Sequence, residues 1–217
     1  MKTIPREVKN TRTNSRHLRE LKRSLSLSVL QKRVLCGTLM GDGCIIPTAS
    51  GKNYRLQAEQ SNKQREYLFW KYEIFKDFVV TSPKYIASLD SWRFRTMSHE
   101  EFVQLRDVFY QNGRKVLPQN LSFLADPLVL AVWFMDDGSH YPNGSYILNT
   151  QNFTREENAR IINFLSDKCG LESLALHRDR KYYRIAIRKK SSLAFQRLFE
   201  SEMLPSMKYK LFNPVET

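Results

Sequence analysis

From about residue 28 onward, apolar positions recur first with helical spacing and then with strand spacing. Val29, Leu30, Val34, Leu35 and Leu39 fall on one face of a helix expected over about 28–40. Tyr54, Leu56 and Ala58 then alternate with Arg55, Gln57 and Glu59, the period-2 pattern of a strand with one dry and one wet face. Asn62 opens an aromatic-rich helix in which Tyr67, Trp70, Ile74 and Phe78 are the expected buried stripe. Two strands are expected around Asp90-Ser91, the second alternating Trp92 and Phe94 with Arg93 and Arg95. Ser98-His99-Glu100-Glu101 has the form of a capping box, and its helix is expected to end at Asn112-Gly113.

The pattern then restarts. Asp126-Pro127 offers an N-cap followed by proline at the first helical position. A strand is expected over 146–151, and Thr154-Arg155-Glu156-Glu157 is a second capping box whose helix ends at Gly170. Strands near Leu174 and over 183–188 follow, then a helix over about 192–203. Landmarks share one offset: Asp42 to Asp137 and Lys115 to Lys210 are both 95 residues (137 − 42 and 210 − 115), while Ser98 and Ser192 are 94 apart (192 − 98). A repeat that long is a duplicated half-domain rather than a solenoid unit. The expectation is an α+β chain of two αββαββα halves, 26–120 and 121–217, each with an antiparallel sheet, preceded by a basic arm over 1–25. Two like halves imply a pseudo-twofold, and duplex DNA has an approximate twofold to match.

Charge supports that partner. The 217 residues carry 35 Lys and Arg against 22 Asp and Glu, a net charge of +13. Such a field favours a polyanion. The first 24 residues are denser still, with eight basic side chains from Lys2 to Arg23 against Glu7 and Glu20. They read as an arm ordered on a phosphate backbone, or as a solvated tail. No run approaches the ~18 apolar residues of a membrane span, and the N-terminus lacks the apolar core of a secretory signal. The expected setting is intracellular, either cytoplasmic or organellar. Three scattered cysteines and four unpaired histidines give neither a disulfide framework nor a zinc spacing.

The chemistry lies in two matched segments, Leu35-Cys36-Gly37-Thr38-Leu39-Met40-Gly41-Asp42-Gly43 and Leu130-Ala131-Val132-Trp133-Phe134-Met135-Asp136-Asp137-Gly138. Each is an apolar helix whose last turn runs into Asp-Gly, with the glycine suited to a left-handed C-cap. A carboxylate there faces the negative end of the helix dipole, a mismatch of roughly 0.3–1 kcal/mol. Its occurrence at both matched positions suggests a bound cation, and oxygen ligands completed by phosphate describe Mg²⁺. A lone Asp-Gly is usually just a turn; two at a fixed offset are not.

These two segments resemble the paired motif helices of LAGLIDADG homing endonucleases. Ile147-Leu148-Asn149-Thr150-Gln151 with Phe153-Thr154, and Leu204-Pro205 leading to Tyr209-Lys210-Leu211, resemble the same family. The likeness spans about residues 28–213. It implies that the motif helices pack side by side, with both Asp-Gly ends over the scissile phosphates. Small residues Cys36, Gly37, Gly41 and Ala131 would allow close approach, whereas Val132-Trp133 is bulkier than the family's usual pattern. Metal ligation is expected from Asp42 and Asp137, with Gly41 and Asp136 beside them, and Asp137 rather than Asp136 aligns with Asp42.

The resemblance makes Lys115 and Lys210 the basic residues near the cut, each 73 residues beyond its aspartate (115 − 42 and 210 − 137). Glu59 and Gln151 are expected at matching places, ordering water around the metal. The wet strand faces carry Arg55, Gln57, Arg93, Arg95, Asn149, Arg184 and Arg188, a surface for base edges in the major groove. Together these imply a monomeric, Mg²⁺-dependent endonuclease that cuts both strands of a long DNA site and leaves short 3′ overhangs. The alternatives are an intron maturase, or a non-catalytic DNA-binding protein on the same fold; neither needs both aspartates.

Overall fold

The computed structural model describes residues 16–51 and 53–213. The expected basic arm therefore lies mostly outside the described residues. Its last part is a helix, α1 (Arg16–Ser24), docked rather than extended. Leu18 and Leu21, one turn apart, give it an apolar edge that packs with Met97, Leu25 and Val80. The Lys22 ammonium donates to the Ser98 hydroxyl at 2.9 Å.

Two compact units follow, and they do not trace the sequence repeat. One takes residues up to Lys32 together with Asp42–Asp107; the other takes Arg33–Gly41 together with Val108 onward. Helix α2 (Val29–Met40) runs from the first into the second.

In the first unit, β1 (Cys44–Pro47), β2 (Tyr54–Ser61), β3 (Lys84–Ile86) and β4 (Ser91–Arg95) form an antiparallel sheet of order β1-β2-β4-β3. Helix α3 (Arg65–Phe75) covers its dry face, where Tyr72 meets Phe94 edge-on with ring centroids 6.0 Å apart. The buried stripe of α3 is Tyr67, Leu68, Lys71, Tyr72 and Phe75; of the expected Tyr67, Trp70, Ile74 and Phe78, Tyr67 and Phe78 are buried and Trp70 and Ile74 only half-buried. The sheet takes two adjacent ridges of the helix, and Trp70 turns to the margin. Val29 and Leu30, expected in the core, are exposed, because the start of α2 is held by its polar edge instead. There Gln31 donates to the Ile74 carbonyl at 2.8 Å and Lys32 pairs with Glu101.

Helix α4 (Glu100–Phe109) starts one residue later than expected. The cap is His99, whose Nδ1 accepts from the Glu101 amide while Nε2 meets the Lys22 carbonyl; Ser98 is already engaged by Lys22. Nor does Asn112-Gly113 end this helix. Both residues have positive φ (51° and 78°), the signature of a type I′ turn. They join β5 (Tyr110–Gln111) to β6 (Arg114–Lys115) in a two-stranded hairpin of the second unit.

The rest of the second unit begins with α5 (Pro127–Asp137), capped by Asp126, which accepts from the Leu128 and Val129 amides. Strands β7 (Gly138–His140), β8 (Tyr146–Leu148), β9 (Leu174–Asp179) and β10 (Tyr182–Ile187) form a second antiparallel sheet, of order β7-β8-β10-β9. This repeats the connectivity of the first sheet strand for strand. Helix α6 (Arg155–Cys169) packs on it, started by the full Thr154–Glu157 capping box and stopped by Gly170 in the left-handed region. Helix α7 (Lys189–Arg197) starts before the expected Ser192, whose hydroxyl bonds back to the Lys189 carbonyl. The α+β class and the two antiparallel sheets are thus as the alternation of the sequence implied.

Candidate active site

The C-terminal half of α2 and the whole of α5 meet directly inside the second unit. A Cβ added to Gly37 would lie 2.7 Å from both the Val129 carbonyl oxygen and Val132 Cβ; one added to Gly41 would lie 2.4 Å from Asp136 Cβ. Gly37 and Val132, and Gly41 and Asp136, are equivalent by the 95-residue offset (132 − 37 and 136 − 41). Equivalent residues touching each other is the mark of an isologous contact. Bulky Val132 is therefore accommodated because its partner is glycine. Trp133 is fully buried. The crossing is pinned at its other end by Arg33, whose Nε and second nitrogen reach the two Asp126 carboxylate oxygens at 2.7 and 2.8 Å. Burial works against ionisation of Asp126, but Arg33 and the two helix amides outweigh it and hold the carboxyl below its usual range.

Asp42 lies two residues beyond the end of α2, and Asp137 is the last residue of α5. Asp42 is exposed and Asp137 half-buried, whereas Asp136 is buried against Gly41. Asp136 thus occupies the helix contact, and Asp137 is the more exposed of the two carboxylates. The glycines that follow do not serve as left-handed caps. Among the described residues positive φ occurs at Gly51, Gly113, Gly144 and Gly170, not at Gly43, and Gly138 is extended (φ −82°, ψ 149°). Gly138 is required for space instead: a Cβ there would come within 2.1 Å of the Phe134 ring.

Lys115 and Lys210 arrive by different routes at the same relation to a helix end. Lys115 ends the β5–β6 hairpin, and its Nζ donates to the Gly41 carbonyl at 2.7 Å. Lys210 ends a short 3-10 turn (Pro205–Lys210), and its Nζ donates to the Met135 and Asp136 carbonyls at 2.6 and 3.0 Å. Each ammonium therefore caps the carbonyl of the residue just before an aspartate. This offsets the negative helix end that the sequence alone left facing a carboxylate. Asn112-Gly113 was the available signal for the hairpin.

Around Asp42, Gln60 donates to the carboxylate oxygen Oδ2 at 3.2 Å. The sequence reading missed this residue, because it has the parity of the dry face of β2; a polar side chain on that parity was the clue. Glu59 is elsewhere, on the wet face. It accepts from Ser91 at 2.5 Å and from Arg93 Nε at 2.6 Å. Burial opposes its ionisation, yet these bonds and the charges of Arg93 and Arg95 keep its carboxyl below the usual range.

Glu59 and Gln151 are not register mates. Gly138 pairs with Leu148 and Cys44 with Gln57, so continuing each ladder by a residue or two sets Asn149 against Asp137 as Glu59 is set against Asp42. Asn149 indeed donates from both its amide and its side chain to the Asp137 carbonyl, at 3.0 and 2.9 Å. Gln151 lies past the strand end and, with its amide in the orientation that satisfies both ends, accepts from Arg184 at 3.1 Å. The shift arises because the first hairpin of the repeat is five residues longer than the second (95 − 90, from 149 − 59).

The remaining wet-face residues keep their expected side. Arg95 donates to Gln57 at 2.6 Å, and Arg184 pairs with Asp179. Arg55 is half-buried; its Nε is enclosed without a hydrogen-bond partner, and burial and then Arg95 lower its pKa. Arg188 is exposed just beyond β10, at the start of α7.

Among the described residues no three His, Cys, Asp or Glu side chains cluster as a metal cage. A matched carboxylate at each helix end, completed by phosphate oxygens and water, is how Mg²⁺ is commonly held, so the donor set fits that ion.

Comparison with known proteins agrees with this geometry. The family model for LAGLIDADG DNA endonucleases matches residues 32–195. A probable intron-encoded endonuclease 1 of Wickerhamomyces canadensis is 30% identical over 215 residues, 91% of each chain. The cytochrome b mRNA maturase bI2 of Debaryomyces hansenii is 28% identical over 192 residues, 83% of this chain and 72% of that one. Among solved structures, the homing endonuclease I-WcaI bound to its DNA recognition sequence superposes with a TM-score of 0.82 at 28% identity, covering 97% of this chain and 98% of that one.

Proposed function

This chain belongs to the LAGLIDADG DNA endonuclease family, and from that premise we propose that it is a site-specific endonuclease cutting both strands of a long duplex target. The observation that carries the proposal is the pair of matched aspartates, each next to a carbonyl capped by a lysine ammonium. Mg²⁺, when bound, would lower the pKa of a water and stabilise the attacking and leaving oxygens. Asp42 and Asp137 would hold that ion, one for each strand. Lys115 and Lys210 fix a positive charge beside them, where the phosphate gains negative charge in the transition state. The halves 26–120 and 121–217 are the units of duplication, each supplying one aspartate and one lysine. Because one chain carries both sets, it works as a monomer.

On the wet sheet faces, Arg93 and Arg95 with Gln57 and Glu59 present paired donors and acceptors, the kind of array that reads base edges in the major groove. Arg55, Arg184, Arg188 and Asn149 extend that array, and the net charge of +13 supplies the salt-sensitive affinity for phosphates. Its likeness to a cytochrome b mRNA maturase makes assistance of intron RNA splicing in an organelle the second reading; retention of both aspartates favours cleavage.

The test is to select cleaved duplexes from a randomised library with the wild-type chain and Mg²⁺, then assay single variants on the selected site. Asp42→Asn and Asp137→Asn are each expected to abolish double-strand cleavage while leaving binding in Ca²⁺ largely intact, and Asp136→Asn to do less. Full cleavage by either of the first two would overturn the assigned site. No cleaved duplex from the wild-type chain would favour the maturase reading.

A further inference from the structure

Strand β2 buries Leu56, Ala58 and Gln60 and turns Gln57 and Glu59 outward. Gln60, 5% exposed, thus places an amide among apolar neighbours, which costs free energy unless its polar atoms are bonded. One bond it makes is to the functional carboxylate, Nε2 to Asp42 Oδ2 at 3.2 Å. We propose that Gln60 is a positioning residue that holds the Asp42 carboxylate in its working orientation, and that the second half has no equivalent device at the matching position. The amide occupies Oδ2 and restricts the carboxylate rotamer, so that the other oxygen is presented outward. Asp42 is exposed, and without such a tether its side chain would be free to turn.

By strand register the matching residue in the second half is Thr150, one past Asn149 as Gln60 is one past Glu59. Thr150 is 1% exposed, and its hydroxyl has one hydrogen to give. That hydrogen goes to Asn158 Oδ1, while the Asn158 amide returns to the Thr150, Phe153 and Thr154 carbonyls. Thr150 is committed to holding the start of α6 and cannot donate to Asp137. The two strands are therefore cut by carboxylates that are oriented in different ways, and only one of them depends on Gln60.

This inference rests on the endonuclease reading above, and its test separates the two. Gln60→Met keeps the length of the side chain and removes the donor. On a supercoiled plasmid carrying the selected site, Asp42→Asn identifies the strand served by Asp42 through the strand left uncut. Gln60→Met is then expected to slow cutting of that same strand by about 5- to 30-fold, the effect of losing about 1–2 kcal/mol, with the other strand changed by less than about twofold. Plasmid nicked on the other strand accumulates as an intermediate. A readout independent of turnover is the gain in duplex affinity caused by Ca²⁺, which should shrink in Gln60→Met by about three- to tenfold on the same grounds.

A fold defect in Gln60→Met would slow both strands alike, and equal slowing overturns the inference, as does no slowing. If Asp42→Asn itself shows no strand preference, the division of labour between the aspartates is wrong and the inference falls with it. A Gln60→Met result without strand bias, beside an Asp42→Asn result with it, would refute Gln60 alone.

Discussion

Replacing Gly37 by alanine sets two effects of opposite sign against each other. Gly37 lies in the interior of α2, where alanine is favoured over glycine by about 1 kcal/mol through backbone entropy alone. Yet its new Cβ would sit 2.7 Å from the Val129 carbonyl oxygen, 2.7 Å from Val132 Cβ and 2.9 Å from Val132 Cγ1. Two of these three atoms belong to backbone or to the rigid root of a side chain, so neither can swing aside. Overpacking a tight contact costs about 1–3 kcal/mol, and the upper end applies where the obstacle cannot move. The net expectation is a loss of about 2 kcal/mol, which for a chain of this size lowers Tm by about 4–8 °C. Thermal unfolding of the metal-free chain without DNA measures it. A double-mutant cycle with Val132→Ala should recover less than about 1 kcal/mol, since of the three obstructing atoms it removes only Cγ1. An increase in Tm for Gly37→Ala would show propensity winning, and would refute the close crossing of α2 and α5.

Asp126→Asn keeps an N-cap but removes the charge that Arg33 grips at 2.7 and 2.8 Å. Because the folded carboxyl is held below its usual value, its contribution is present above the unfolded pKa of ~3.9 and lost as pH falls towards the folded one. The Tm difference between wild type and variant should be steady above about pH 5 and shrink below about pH 4. Glu59 titrates in both proteins and cancels; a difference that grows in acid would contradict the assignment. Lys210→Met removes the donor to the Met135 and Asp136 carbonyls, both near the end of α5. Cleavage of the strand served by Asp137 should fall about 100-fold while Tm falls by less than about 4 °C, roughly the cost of one hydrogen bond in a chain of this size. Unchanged cleavage would leave Lys210 as a helix cap and nothing more.

How much of this was legible beforehand depends on whether the signal was local. The period-2 runs at Tyr54–Glu59 and Trp92–Arg95 gave the strands and their wet faces, because alternation is a property of the strand itself. The Thr154–Glu157 capping box and the Asp126-Pro127 start also held, since their partners lie within one turn. The offset shared by Asp42 and Asp137 marked the duplication without any structure. What failed needed partners distant in sequence. Ser98 was expected to cap α4, but Lys22, 76 residues away, takes its hydroxyl and His99 caps instead. Gln151 was matched to Glu59 as the last residue of a similar strand segment, yet only strand pairing shows that Asn149 holds that place.

The sequence by itself determined the class of the fold, the repeat and the matched spacing of the aspartates and lysines, because composition, periodicity and spacing are written along one dimension. Tertiary structure decided the direction of each side chain. It turned Asp136 into the helix contact and left Asp137 half-buried, brought each lysine to a carbonyl at a helix end, and bonded Gln60 to Asp42. Those outcomes depend on which backbone atoms approach within a few ångströms. Gly37, Gly41 and Gly138 permit that approach only against Val132, Asp136 and Phe134, and no pattern along the chain names a glycine's partner.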